Sequence, residues 1–338
     1  MARPIFYDEK QPITMTQQHL KIGWVGFHQE GVPALLAMKE LGIRLEAVIT
    51  LNEDSLQKRS ANVRYSDVLH DWDVPLYQIS NVNDPSTIDL LKLLDLDLLF
   101  VIGWSQILSP EALRTARIGV IGAHASLLPS NRGSAPINWA LIKGQTTTGN
   151  TLMWLSEDVD AGRIIDQIEF PITIYDTCAT LYEKVASTNR TMIQKVLSRL
   201  QSGEVPGYEP AHIDEPLLAR RRPSDGLIDW TRSAREVYDF IRALTRPYPG
   251  AFSFLDGSCW TIQSCALLPD ADSASVPGSI IGPIFSPVAN ACGMVVSCGR
   301  GTLVLLELER QDGLILKGFS LSEFACEVKE SRKVWSHE

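Results

Sequence analysis

The chain has no apolar run near the ~20 residues that a membrane-crossing helix needs. Residues 1–19 are polar and mixed in charge and lack the apolar core of a signal peptide. They read as a loosely attached N-terminal arm. The six cysteines, at 178, 259, 265, 292, 298 and 326, include no Cys-x-x-Cys pair. In 338 residues that is neither a disulfide framework nor a zinc knuckle, so a reduced, cytoplasmic protein with no metal site is expected. A P-loop and a Gly-x-Gly-x-x-Gly fingerprint are both missing, which argues against ATP or dinucleotide chemistry. Basic charge is not in excess either. Lysine and arginine number 31 against 40 aspartates and glutamates, a formal net charge of −9. Such a surface does not draw nucleic acid by bulk electrostatics, although a local basic patch still could.

What is present is an ordinary globular composition, 45% hydrophobic and 21% charged, long enough for about two domains. Apolar strand-like runs at 20–27, 45–51, 74–79, 97–103 and 119–122 alternate with helical patterns at about 32–42, 63–71 and after Pro85. That alternation predicts βαβ units and an α/β fold, a doubly wound, mostly parallel sheet. Further strands are expected at 148–155 and 164–172, and helices at 134–144 and 177–201, the last with Asp176 as N-cap. Residues 203–232 have linker composition, rich in proline and carrying Arg220-Arg221-Arg222. One helix, about 233–244, precedes short β segments between turn signals such as Asp256-Gly257. The expected organisation is an arm at 1–19, a catalytic domain at 20–202, a linker at 203–232 and a smaller C-terminal β-barrel-like (OB-like) domain at 233–326.

Two segments carry candidate chemistry. Gly119–Gly133 (GVIGAHASLLPSNRG) runs from a strand end into a loop, and open parallel sheets bind ligands just beyond their strand C-termini. His124 is therefore placed to face a cleft, although a histidine alone is more often of no consequence. Leu155–Gln167 (LSEDVDAGRIIDQ) crowds Glu157, Asp158 and Asp160 into a turn. Alone it reads as a solvated acidic turn. With a helix and a strand between them, the two segments can return to the same sheet edge. A carboxylate beside an imidazole fixes its tautomer and favours its charged form, which suits general acid–base work.

Gly122-Ala123-His124-Ala125-Ser126-Leu127-Leu128-Pro129, with Arg132-Gly133 and Pro136-Ile137, resembles the motif of the 10-formyltetrahydrofolate-dependent formyltransferases. That family includes methionyl-tRNA formyltransferase, the sugar N-formyltransferases and glycinamide ribonucleotide transformylase. Glu157-Asp158-Val159-Asp160-Ala161-Gly162 resembles its second motif, and Val101–Pro110 resembles the segment flanking the folate pteridine. Arg221–Gly226, Ile228-Asp229-Trp230 and Pro247–Phe252 resemble the C-terminal domain of the tRNA and sugar enzymes. The likeness covers about residues 20–325.

The resemblance implies a Rossmann-like formyltransferase fold and 10-formyltetrahydrofolate as co-substrate. It implies His124 and Asp160 as catalytic residues. It also implies a pteridine slot lined by Gln106, Ile107 and Leu108 and by the backbone of Leu155, Ser156, Glu157, Asp158 and Val159. In one place the chain departs from the pattern: the family has asparagine two positions before its histidine, and here that position is Gly122. Asn131 and Asn138 are candidates to replace the missing amide, as are a backbone N–H or water.

The acceptor expected from this reading is a small primary amine on a phosphate carrier, an amino sugar linked to a nucleotide being the most concrete case. Methionyl-tRNA is the alternative, because the matching loop Leu51–Arg64 is only weakly basic. A folate-binding module with weak catalysis is the second alternative, motivated by Gly122. His28 and Trp104 are further candidate contacts, and a homodimer is compatible with the sequence.

Overall fold

The computed structural model describes residues 20–268 and 275–337, and the expected arm at 1–19 lies outside them. Seven strands form the first sheet: β1 (Ile22–Val25), β2 (Leu45–Leu51), β3 (Leu76–Ile79), β4 (Leu98–Val101), β5 (Gly119–His124), β6 (Thr147–Trp154) and β7 (Ile164–Pro171). Their spatial order is β3-β2-β1-β4-β5-β6-β7. The first five run parallel, and β6 and β7 close the edge antiparallel. The two central strands, Ile-Gly-Trp-Val and Leu-Leu-Phe-Val, are buried at every residue. They have to be, because helices cover both faces. On one face, Leu35 and Met38 of helix Val32–Glu40 pack with Met192, Val196 and Leu200 of helix Cys178–Gln201. On the other, Ile88 and Leu91 of helix Pro85–Leu94 pack on Val25 and Leu99. Strand order reverses between β1 and β4, so the ligand-binding crevice of such a sheet falls at their C-terminal ends.

Some local expectations shift. β5 continues two residues past Gly122, which makes His124 a strand residue. The helix expected at 32–42 ends at Glu40, leaving Leu41 half-exposed. The helix expected at 63–71 shrinks to Tyr65–Val68. No helix among the described residues is long and apolar enough to cross a membrane.

The second sheet is wholly antiparallel. It comprises β8 (Ala251–Leu255), β9 (Ser258–Leu267), β10 (Ile280–Ile284), β11 (Gly293–Ser297), β12 (Thr302–Arg310) and β13 (Ile315–Lys317). The ladder runs β10-β11-β12-β9-β8, with β13 also on β12. Asp256 and Gly257, at φ 53° and 69°, make the tight turn between β8 and β9 that the Asp-Gly signal predicts. Helix Phe319–Glu330 packs against this sheet through Leu321, Ala325 and Val328, an element the sequence reading did not foresee. One apolar cluster runs beneath both halves: Ile137, Leu141 and Leu181 from the first meet Val237, Ile241 and Leu244 of helix Ala234–Leu244 and the second sheet.

Thr177, not Asp176, caps helix Cys178–Gln201, in a reciprocal box with Thr180. Asp176 has a different task. Its carboxylate accepts from the Thr173 amide (2.7 Å), the Thr173 and Thr180 hydroxyls and Lys184 Nζ (2.8 Å). Burial alone would raise this carboxyl. Together the Lys184 ammonium and the threonine donors outweigh burial and hold it at about 2, below the ordinary 3.8. A carboxylate lowered in the fold contributes stability above pH 3.8 that is lost as pH falls through 2. Asp176→Asn is expected to cost about 2 kcal/mol at pH 7. Denaturant titrations should show the gap to wild type closing between pH 4 and about 2; a gap constant over that window contradicts the assignment.

Candidate active site

His124 closes β5 at the C-terminal edge of the sheet, opposite Thr151 on β6. Its ring is almost fully enclosed, with the side chain 8% exposed. Nε2 lies 2.8 Å from the main-chain oxygen of Asn131. A carbonyl can only accept, so Nε2 carries the proton. Nδ1 stands 3.5 Å from Asp160 Oδ2. The ring is thus held between the Asn131 carbonyl and the Asp160 carboxylate.

The loop after β5 is braced on the neighbouring strands. Thr151 Oγ1 donates to Ser126 O (2.7 Å) and accepts from Leu128 N (3.1 Å), while Gln167 Nε2 donates to Leu128 O (2.8 Å). Asn131 then turns with φ 59°, and this aims its carbonyl at the histidine. Asp160 is fixed from two sides. It sits in the left-handed region at φ 51°, in a turn where a Cβ on Gly162 would lie 1.8 Å from the Trp154 oxygen. Only glycine fits there, which explains the Asp-Ala-Gly of the second motif. Its Oδ2 also accepts the Gly133 N–H at 2.8 Å.

The structure therefore brings His124 and Asp160 together. Of the other expected residues, Gln106 spends its side chain elsewhere: its Oε1 accepts from Val82 N (2.8 Å) and its Nε2 donates to Ser80 O (2.9 Å). Ile107 is 67% exposed and Leu108 is buried. Ser156, Glu157 and Asp158 are exposed, and Leu155 and Val159 are half-buried. Glu157 pairs with Arg114 at 2.7 Å, which ties the segment after Leu108 to the Asp160 turn. Trp104 packs edge-on to Phe27, and its buried Nε1 has no partner among the described residues. His28 Nδ1 accepts from Glu30 N (3.3 Å), and the ring lies against Tyr182.

A Cβ on Gly122 would stand 2.5 Å from a methyl of Leu155, so leucine fills the space where an asparagine side chain would begin. Neither candidate amide is free to replace it. Asn138 is buried and donates to Ala243 O (2.6 Å), and the Asn131 amide donates to Gln145 (3.2 Å). What Asn131 offers the ring is its main-chain oxygen.

The formyl transferase model matches residues 32–197, and the model of the formyl transferase C-terminal domain matches 221–324. Together they span most of the chain. The chain belongs to the formyl transferase family. Several solved structures share the fold of this formyltransferase. HypX from Aquifex aeolicus, in complex with tetrahydrofolic acid, is 15% identical with a TM-score of 0.63. That match covers 89% of this chain and 46% of HypX, so the formyltransferase spans about half the length of that protein. WlaRD, a sugar 3N-formyl transferase solved in the presence of dTDP and 5-N-formyl-THF, is 16% identical with a TM-score of 0.61 and covers 88% and 100% of the two chains. An N-formyltransferase from Helicobacter canadensis, in complex with folinic acid and dTDP-3-aminofucose, is 17% identical with a TM-score of 0.62 and covers 85% and 98%.

Sequence reasoning missed the groups that hold this pair of the formyltransferase in place: the Asn131 carbonyl, the Gly133 amide, Thr151 and Gln167. Only Gly133 left a trace, as an isolated glycine in the first motif. It adopts φ 108°.

Proposed function

We propose that the chain transfers a formyl group from 10-formyltetrahydrofolate to the primary amine of a nucleotide-linked amino sugar. The observation that carries this reading is the enclosed His124–Asp160 pair at the C-terminal edge of a formyltransferase sheet. The amine nitrogen attacks the formyl carbon, the bond from that carbon to folate N10 breaks, and N10 takes the proton lost by the amine. His124 Nε2–H, held meanwhile by Asn131 O, is the donor to the oxyanion that develops on the formyl oxygen or the relay for the amine proton. Asp160 keeps the ring oriented and balances its charge.

The rim suits a flat heterocycle. On this reading Ile107, Leu108, Leu155 and Val159 are the apolar walls of the pteridine slot, and the exposed turn at 156–158 is its source of main-chain donors and acceptors. Gln106 contributes by fixing that rim with its amide rather than by touching the ligand. The sugar acceptor is favoured because one similar structure is of a sugar 3N-formyl transferase and another holds dTDP-3-aminofucose, and because the chain is acidic overall.

The test is to mix the protein with 10-formyltetrahydrofolate and a panel of nucleotide-linked amino sugars and to follow tetrahydrofolate release. Release that depends on one of these amines is the expected result. Folate binding without release, or release only with an aminoacyl-tRNA, overturns the proposal.

A further inference from the structure

The segment after helix Cys178–Gln201 is laid along the site instead of looping into solvent. Pro206 O accepts from Trp154 Nε1 (2.6 Å), and Tyr208 exchanges main-chain hydrogen bonds with Ile164 (2.8 and 2.9 Å). Further on, Leu218 N donates to Arg132 O (2.7 Å) and Leu218 O accepts from Ser134 N (3.0 Å). Leu218 thus forms a bridge across Gly133, the residue whose amide holds Asp160. The approach is so close that a Cβ on Gly133 would lie 2.6 Å from the Leu218 nitrogen and oxygen. Ala219 O accepts from Trp139 Nε1 (2.9 Å), and the Arg221 guanidinium packs over the Trp139 and Phe240 rings. The strap therefore carries Arg220 to the edge of the site loop, two residues beyond the bridge.

On the other side, the loop after β2 folds back onto the end of β1. Gln29 N donates to Ala61 O (3.0 Å) and Val63 N to Phe27 O (2.8 Å). This loop carries Arg59. Burial lowers the Arg59 guanidinium, and the nearby positive charge of Arg220 lowers it further. Arg132 belongs to the site loop itself.

Arg59, Arg132 and Arg220 have no carboxylate partner among the described residues. The Nε atoms of Arg59 and Arg132 are buried without any hydrogen-bond acceptor there. Arg44, Arg221, Arg222, Arg300 and Arg332 also lack a carboxylate partner, but of these only Arg221 has a buried Nε without an acceptor, and its guanidinium lies over two aromatic rings. Arg64, Arg114, Arg117, Arg190, Arg199 and Arg310 each pair with an aspartate or glutamate. In a chain of net charge −9, carboxylates are not scarce. Uncompensated guanidiniums gathered at the ligand-binding edge of a sheet call for an anion brought from outside.

We propose that Arg59, Arg132 and Arg220 bind the diphosphate of the acceptor, so that the strap is one wall of the acceptor site. This rests on the formyl-transfer reading and names what holds the acceptor. Three guanidiniums match the two to three negative charges of a diphosphate ester. A tRNA would want its phosphate contacts spread over one face, whereas these three residues stand on the site loop and on the two segments laid beside it.

The experiment is titration calorimetry on the full chain with inorganic pyrophosphate and with uridine and thymidine diphosphates, and separately with tetrahydrofolate. The expected result is diphosphate binding that weakens about tenfold or more in Arg59→Ala and in Arg220→Ala. Arg220→Lys should recover part of the loss, and tetrahydrofolate affinity should stay within about twofold. Arg117→Ala, far away at the other end of β5 and paired with Asp97, should leave all affinities unchanged. With a competent acceptor, the first two variants raise KM for the amine while kcat holds.

Wild-type protein that ignores diphosphates, or variants that bind them as wild type does, overturns the proposal. So does arginine-dependent binding of an aminoacyl-tRNA without binding of diphosphates. Turnover of an amine with no diphosphate binding removes this site and leaves formyl transfer standing. Arginine-dependent diphosphate binding with no amine formylated does the reverse.

Discussion

Replacing His124 with alanine is expected to lower amine-dependent formyl transfer by about 10²–10⁴ in kcat, while tetrahydrofolate still binds as to wild type. The size follows from where the ring sits. It is the one side chain at the end of β5 with a protonated nitrogen restrained only by a main-chain oxygen, and that bond can be exchanged for one to a developing oxyanion. It is also the partner of Asp160 at 3.5 Å, in surroundings that admit little water. Asp160→Asn should lose less, because an amide can still accept from Gly133 N–H and hold the turn while it no longer balances an imidazolium. Single-turnover measurements with saturating folate separate these effects from binding. If His124→Ala retains kcat within tenfold of wild type, the imidazole is not the donor and the mechanism falls.

The second large effect concerns stability. Arg242 and Asp239 are each 4% exposed. Arg242 Nε donates to Asp239 Oδ1 (2.8 Å), and Nη1 donates to the carbonyls of Thr173 (2.7 Å) and Asp176 (2.8 Å). One guanidinium thus fastens helix Ala234–Leu244 to the turn that starts helix Cys178–Gln201. Arg242→Ala removes a donor from three acceptors and leaves the buried Asp239 carboxylate without its buried partner. The expected cost is about 3–5 kcal/mol. Asp239 keeps one other cation, Arg235, at 2.7 Å, but that side chain is 48% exposed. Arg235→Ala should therefore cost about 1 kcal/mol or less. Chemical denaturation of both variants checks the contrast, and equal losses would mean that burial does not govern this pair.

The fold was legible because its signals are local. Strands such as LEAVITL and the apolar spacing of residues 181–200 report their own burial, and the Asp-Gly at 256–257 reports its own turn. His124 and Asp160 were legible as motif residues, and their meeting follows from two strands of one sheet edge. What stayed hidden is set by contacts between distant segments. Leu218 meets Gly133 through a single bridge, which no periodicity records. Leu155 fills the space above Gly122, and nothing in either segment alone announces it. Gln106 looked available for a ligand until its two hydrogen bonds to the end of β3 were placed. Helix Phe319–Glu330 was overlooked although Leu321, Ala325 and Val328 hold helical spacing, because the β-rich run before it set the expectation. The run Arg220-Arg221-Arg222 reads only as part of a linker because a sequence shows charges and not their partners.

The apolar core that passes from Leu181 through Ile241 into the second sheet also limits how the molecule can open. Two bodies joined by water-exposed polar surface can swing apart, but a shared oily interior resists any hinge between them. Any ligand of the crevice is therefore expected to enter over a stationary frame. Whatever must move for binding is left to the crevice rim and not to the halves of the protein.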